Sequence, residues 1–214
     1  FILNFAHLMR EQNADQQLQR WEREKYKGHV QDLNGSTMGI LSLGGIGMAV
    51  AQRAKGFGMN IYAVDNTKMC PPDGVKDVWG LDRLDDLIRI SDWFVVTSPL
   101  TPNTRNLIDS RRIGLFKRSA YLIVISRGGI VDESAMTSAL ELGRIAGAGL
   151  DALDIEPLPK DSLLWDMPNV IISPHVSSCS PAMYEGRKEV FKNNLQRYVD
   201  GIPLQYICDK QAGY

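Results

Sequence analysis

The stretch that decides the fold is "MGILSLGGIGMAVAQRA", residues 38–54. A short apolar run ends at Ser42, glycines follow at 44, 45 and 47, and Ile46, Val50, Ala54 and Phe57 then recur at helical spacing. The pattern predicts a strand, a tight turn and a helix, with Gly58 ending the helix in a left-handed conformation. In this reading Gly44 lets backbone approach a bound group, and Gly47 lets the helix close on the strand. Ser42-Leu43-Gly44-Gly45-Ile46-Gly47 is then a G-x-G-x-x-G turn with serine in its first glycine position. Serine is tolerable there if its backbone keeps a negative φ.

Such a turn aims the free N–H groups of a helix N-terminus at the pyrophosphate of a dinucleotide. Seventeen residues separate Gly47 from Asp65, which ends the next apolar run, "NIYAVD" (60–65). That places a carboxylate at the tip of a second strand, where it can accept hydrogen bonds from an adenosine ribose. The same carboxylate would repel a 2′-phosphate, so NAD is expected over NADP, with Lys68 nearby in sequence. The competing reading is a glycine-rich strand-to-helix turn that binds nothing.

Four further runs read as strands: "WFVVTS" (93–98), "AYLIVIS" (120–126), "AGAGLD" (146–151) and "NVIISP" (169–174). Their largely continuous apolar character suits strands covered on both faces. Helices are expected over Leu81 to Ile90, from an N-cap at Asp132 through Leu142, and over about Pro181 to Val199. Ile2, Phe5, Leu8 and Met9 suggest an opening helix, followed by a polar stretch, Arg10 to Lys27, in which Leu18 and Trp21 form a thin apolar stripe. Strands alternating with helices define an α/β fold with a doubly wound parallel sheet of the Rossmann type.

Composition excludes several function classes. With 214 residues, 44% apolar content and a net charge of −1, the chain can build a core but offers no basic face for nucleic acid. Lys25, Lys27, Arg111 and Arg112 read as solvated surface. Cys70, Cys179 and Cys208 form no CxxC pair, which argues for a reducing compartment and against a disulfide frame or a metal site. No apolar run approaches the roughly 20 residues of a membrane span. The opening "FILNFAHLM" lacks the features of a signal peptide and an initiator Met, so a cytoplasmic protein whose chain begins upstream is expected.

Three strand ends deliver polar residues to one sheet edge. "LIVISRGGIVDE" supplies Arg127, "GLDALDIEPLP" supplies Asp151 and Glu156, and "NVIISPHVSS" supplies His175. In a parallel sheet all strand C-termini open on the edge where a cofactor lies. An arginine fork suits a carboxylate, and a histidine can exchange a proton with a hydroxyl or keto oxygen. A nearby carboxylate would orient that histidine and favour its charged form. Taken singly, each has a plainer reading: Arg127 in a surface salt bridge, Glu156 in a turn, His175 as a loop residue like His7 and His29. Asp85 and Asp86 read as a solvated helix face.

From Asp32 onward the chain resembles the D-isomer-specific 2-hydroxyacid dehydrogenases, the family of D-lactate, phosphoglycerate and glyoxylate/hydroxypyruvate dehydrogenases. The resembling segments are "LGGIG", Asp65, "SPLTPNTRNLID", "SRGGIVDE", "GLDALDIEPLP", "LLWDMPNVIISPH" and "NLQRYVDGIPL". The resemblance implies Arg127, Glu156 and His175 as the catalytic residues. It implies Gly45 and Ile46 at the pyrophosphate, Ser98, Ile125 and Ser126 along the cofactor, and Asp151 at the nicotinamide end. Residues 1–30 would be the entry helix and linker of a cofactor domain reaching to residue 180. Residues 181–214 would return to an N-terminal substrate domain that the sequence lacks.

The expected function is therefore hydride transfer between NAD and a small D-2-hydroxy or 2-keto acid, in a homodimer paired through this domain. The alternative is a non-enzymatic NAD(H)-binding module that senses cofactor or assembles with protein partners, as the family's corepressor branch does.

Overall fold

The computed structural model of the chain describes residues 1–67 and 69–210; Lys68 lies outside them. Seven strands form one parallel sheet: β1 (Thr37–Leu41), β2 (Asn60–Val64), β3 (Val75–Trp79), β4 (Trp93–Val96), β5 (Tyr121–Val124), β6 (Gly147–Leu150) and β7 (Val170–Ile172). Their spatial order is β3-β2-β1-β4-β5-β6-β7. The order reverses between β1 and β4, which opens the ligand crevice of a doubly wound fold beside the end of β1.

The period of two along each strand divides the core between the two faces. Met38, Ile40, Ile61, Trp93, Val95 and Ile123 pack with Ala51 and Ala54 of α4 (Gly45–Gly56) and with Phe5. Leu41, Phe94, Val96, Leu122 and Val124 pack on the other face with Leu84, Leu87 and Ile88 of α5 (Leu84–Ile90) and with Met136 and Leu140 of α7 (Glu133–Glu141). Covering on both faces is why the central strands are apolar without interruption.

Helix boundaries follow local chemistry. Asp132 caps α7 by accepting from the Ala135 N–H at 3.0 Å. Ser180 caps α8 (Pro181–Val199) by accepting from Met183 N, with Pro181 in the first turn. Gly58 takes φ +70° just beyond the end of α4. The 81–90 segment begins as a 3₁₀ turn, Leu81–Arg83, and becomes α5 only at Leu84.

Four features depart from the sequence expectation. First, β3 was not anticipated: Val75-Lys76-Asp77-Val78-Trp79 is a half-exposed edge strand with too few apolar residues to stand out. Second, the opening helix is α1 (Ile2–Ala6), broken at Leu8 (φ +52°). Third, the polar stretch after it holds α2 (Met9–Gln17) and α3 (Arg23–Tyr26). Polar contacts hold α2 where apolar ones are few: Arg10 donates to the carbonyls of Met167 and Val170 at 2.9 and 2.7 Å, and Asp15 accepts from Lys25 and Tyr26. Fourth, Arg111 and Arg112, at the short α6 (Ser110–Ile113), close on Asp85 at 2.5 and 2.9 Å. The Arg111 and Arg112 guanidiniums overcome the opposing effect of burial and hold Asp85 down to about 2.

Helix α8 buries no residue. Its Phe191, Leu195, Tyr198 and Val199 are exposed, Phe191 by 69%. Among the described residues no helix is long and apolar enough to cross a membrane.

Candidate active site

The turn after β1 is held from three sides. The Ser42 N–H donates to Val64 O at 2.8 Å, and the Thr97 hydroxyl lies 2.7 Å from Ser42 O. That same carbonyl leaves no room for a Cβ at Gly47, so the helix can close on the turn only through glycine. This orientation puts Ser42 at φ +77°, in the left-handed region. The condition set by the sequence reading, a negative φ, is not met. A left-handed non-glycine residue costs on the order of 1 kcal/mol, and surrounding contacts must offset it.

Beyond the turn, α4 begins at Gly45 without a side-chain cap on its N-cap, Gly44. The N–H groups of Gly45, Ile46 and Gly47 precede the first intrahelical bond, Met48 N to Gly44 O at 2.9 Å. Gly44 and Gly45 are open on their Cβ side, with no heavy atom within 4 Å. A cleft of about 760 Å³ lies against this helix end, lined by Ser42, Gly44, Asp65, Thr67, Ser98 and Thr104 among others. Asp65 is only 8% exposed, and its carboxylate accepts from Leu43 N at 2.7 Å, Ser42 Oγ at 3.2 Å and Thr67 N at 2.8 Å.

Ser98 and Ser126 stand just beyond the ends of β4 and β5. Their hydroxyls are buried and have no hydrogen-bond partner among the described residues. Buried polar groups without partners are uncommon and mark a place where a ligand or water completes the bonding. Uncapped helix N–H groups, open glycines, a pinned carboxylate and two orphan hydroxyls along one edge fit a dinucleotide. Ile125, half-buried, packs against the core cluster that holds Phe5, Val95 and Ile123.

The same edge continues to β6 and β7. His175 follows β7 with φ +53°, and its Nδ1 lies 2.8 Å from Glu156 Oε2. Glu156 Oε1 accepts from Leu153 N at 2.9 Å, so both carboxylate oxygens are held. Burial would raise Glu156, but the Leu153 N–H, His175 and the Arg127 charge together hold it below the usual range. Arg127 is exposed, and its Nη1 donates to its neighbour's carbonyl, Ser126 O, at 2.7 Å. Arg127, Glu156 and His175, distant in sequence, are thus brought together.

Asp151 is 1% exposed and serves the loop that carries His175. Its Oδ1 accepts from Ser173 Oγ at 2.5 Å and Val176 N at 3.0 Å, and its Oδ2 from Ser177 N at 3.1 Å. Burial opposes ionisation here, yet the bonds from Ser173, Ser177 and Val176 outweigh it and lower Asp151.

Sequence reading missed a brace between the Arg127 and Glu156 loops. A Cβ at Gly128 would collide with Leu153 O, so the two loops touch backbone to backbone. Asp154 Oδ1 accepts from Gly129 N, and Asp154 N donates to Glu133 Oε2 at 2.9 Å. The adjacent glycines after Arg127 were the available signal, since such pairs permit close backbone approach.

This sheet order, with its cleft at the reversal and an uncapped helix after β1, defines a Rossmann-type dinucleotide-binding domain. Residues 1–177 match the profile described as "D-isomer specific 2-hydroxyacid dehydrogenase, NAD binding domain". The chain belongs to that family. It is 38% identical over 193 residues to a glyoxylate reductase of Thermococcus kodakarensis, covering 90% of this chain and 56% of the relative. It is 38% identical over 181 residues to a glycerate dehydrogenase of Methylorubrum extorquens, covering 83% of this chain and 54% of the relative. The chain thus spans about half the length of these relatives. A D-isomer specific 2-hydroxyacid dehydrogenase from Xanthobacter autotrophicus Py2, solved with NADPH and MES, superposes with a TM-score of 0.88 at 32% identity. That match covers 100% of this chain and 85% of the other.

Proposed function

We propose that the protein is an NAD-dependent oxidoreductase acting on a small D-2-hydroxy or 2-keto acid. The observation that carries this reading is the 2.8 Å pair of His175 Nδ1 and Glu156 Oε2, set on the same sheet edge as the uncapped helix and Arg127. With Nδ1 turned to Glu156, Nε2 is the ring nitrogen left to meet a substrate oxygen. In the reduction direction His175 delivers a proton from Nε2 to the keto oxygen, and in oxidation it takes that proton back. Glu156 holds the ring in this orientation. Arg127 anchors the substrate carboxylate and polarises the ketone. The nicotinamide, when bound, supplies or accepts the hydride at its C4.

In this reading the helix start at Gly44, Gly45, Ile46 and Gly47 holds the pyrophosphate, and Asp65 takes the ribose. Ser98, Ile125 and Ser126 line the cofactor. Asp151 fixes the His175 loop beside the nicotinamide end. The homodimer and the cytoplasmic location are carried by the family resemblance.

Steady-state assays of the full-length protein with NADH and a panel of 2-keto acids test the proposal. Turnover on at least one supports it. NADH binding without turnover on any acid favours a binding module instead.

A further inference from the structure

Ser42 occupies a backbone position that suits glycine, at φ +77°. Glycine there would remove the strain at no visible cost in contacts to the core, since Ser42 is half-buried and its side chain faces the cleft edge. What a glycine would remove is the hydroxyl, and among the described residues that hydroxyl has one polar partner, Asp65 Oδ2, at 3.2 Å. The two residues lie on the tips of adjacent strands, β1 and β2, and both line the same cleft.

Asp65 is therefore held from both ends of its carboxylate. Thr67 N binds Oδ1, while Leu43 N and the Ser42 hydroxyl converge on Oδ2. Two of these donors are peptide N–H groups that any sequence would provide. The third is specific to serine. A carboxylate held by three donors cannot swing aside to admit a second anion, but it can still accept from an incoming hydroxyl with its remaining lone pairs. Because Asp65 is nearly buried, repulsion between it and a phosphate is weakly screened.

We propose that Ser42 is a specificity-determining residue at the ribose end of the cleft. Its hydroxyl pins the Asp65 carboxylate in the orientation that accepts a free ribose 2′,3′-diol and excludes a 2′-phosphate. The strained serine is kept for selectivity, against stability. This inference rests on the reading of the cleft as a nicotinamide dinucleotide site.

The two functions of the residue have opposite signs, and two substitutions separate them. Ser42→Gly removes strain and hydroxyl together; Ser42→Ala keeps the strain and removes only the hydroxyl. The experiment measures Kd for NADH and for NADPH by calorimetry, with Tm, for the wild type, both variants, Asp65→Asn and Asp65→Asn combined with Ser42→Ala. The preference for NADH over NADPH is expected to fall about fivefold in both serine variants, the scale of one modest hydrogen bond. Tm should rise in Ser42→Gly and not in Ser42→Ala. In the Asp65→Asn background the Ser42→Ala change should leave the preference unaltered, because the hydroxyl acts through the carboxylate. A preference unchanged in both serine variants, with NADH still bound, overturns the inference alone. Failure of the wild type to bind either dinucleotide overturns the cofactor reading and the inference together.

Discussion

His175 Nδ1 and Glu156 Oε2 lie 2.8 Å apart, although they are 19 positions apart in the chain, with the whole of β7 between them. The contact fixes the orientation of the ring: the nitrogen facing Glu156 cannot also face a substrate. A group fixed this way is ready for proton transfer without reorganisation, which is what the proposed chemistry requires.

Glu156→Gln keeps the shape of the pair and removes its charge. Turnover should fall on the order of a hundredfold or more, as when the carboxylate partner of a catalytic histidine is neutralised. NADH affinity should stay within about twofold, because Glu156 does not line the dinucleotide cleft. Stopped-flow turnover and a fluorescence titration check the two halves. A proportional loss of both would make Glu156 a structural residue.

Arg127→Ala should cut kcat/KM sharply while leaving NADH affinity nearly intact. Loss of a charge-assisted clamp on a carboxylate is worth about 2–4 kcal/mol, or roughly thirty- to a thousandfold. The variant also removes a positive charge that helps hold Glu156 low, so Glu156 should titrate at higher pH, visible by NMR of the carboxyl carbon. Lost cofactor binding would show that Arg127 supports the fold of its loop instead.

Asp151→Asn should destabilise the protein by about 2 kcal/mol, because an amide has one oxygen to accept with where the carboxylate uses two, and a buried bond to the 173–177 loop is lost. The folded Asp151 is lowered from 3.8, so its stabilisation is present above that value and lost as pH falls through the lower folded one. The gap in Tm between wild type and variant should therefore narrow on acidification. A gap independent of pH would contradict an ionised Asp151 in the folded state.

Asp85 offers the same sign away from the cleft. Its stabilisation is full above 3.8 and is lost as pH falls through about 2. Asp85→Asn should cost about 1 kcal/mol at neutral pH, after allowing for partial exposure, and little near pH 2. Thermal unfolding of both forms across that window decides it. Unchanged turnover of the variant would place the Arg111–Asp85–Arg112 cluster in the scaffold alone.

Much of this was legible in the residues. Strands with two buried faces announce themselves as apolar runs, and six of seven did. The edge strand β3 did not, because an edge needs only part of one face and Lys76 and Asp77 break the run. Helix α2 was hidden for a related reason: it is anchored by Arg10 and Asp15, and polar anchors leave no apolar period. At the site, strand-end position set Arg127, Glu156 and His175 on one edge, since parallel strands bring their C-termini together, but it was the family resemblance that singled them out as catalytic candidates. The left-handed Ser42 could not be foreseen from residue type, because its conformation is imposed by Thr97 and Gly47 across the turn. Asp154 and Glu133 were silent for the same reason: their partners are backbone groups of other loops, which no spacing reveals.

The central claim is that His175 moves the proton while the cleft holds the dinucleotide. The most direct test compares wild type with His175→Ala, measuring NADH oxidation by the best 2-keto acid of the panel alongside NADH Kd. The account predicts turnover in the wild type, a loss of about a hundred- to ten-thousandfold in the variant, and a Kd for NADH that barely moves. A variant that still turns over at the wild-type rate would contradict it.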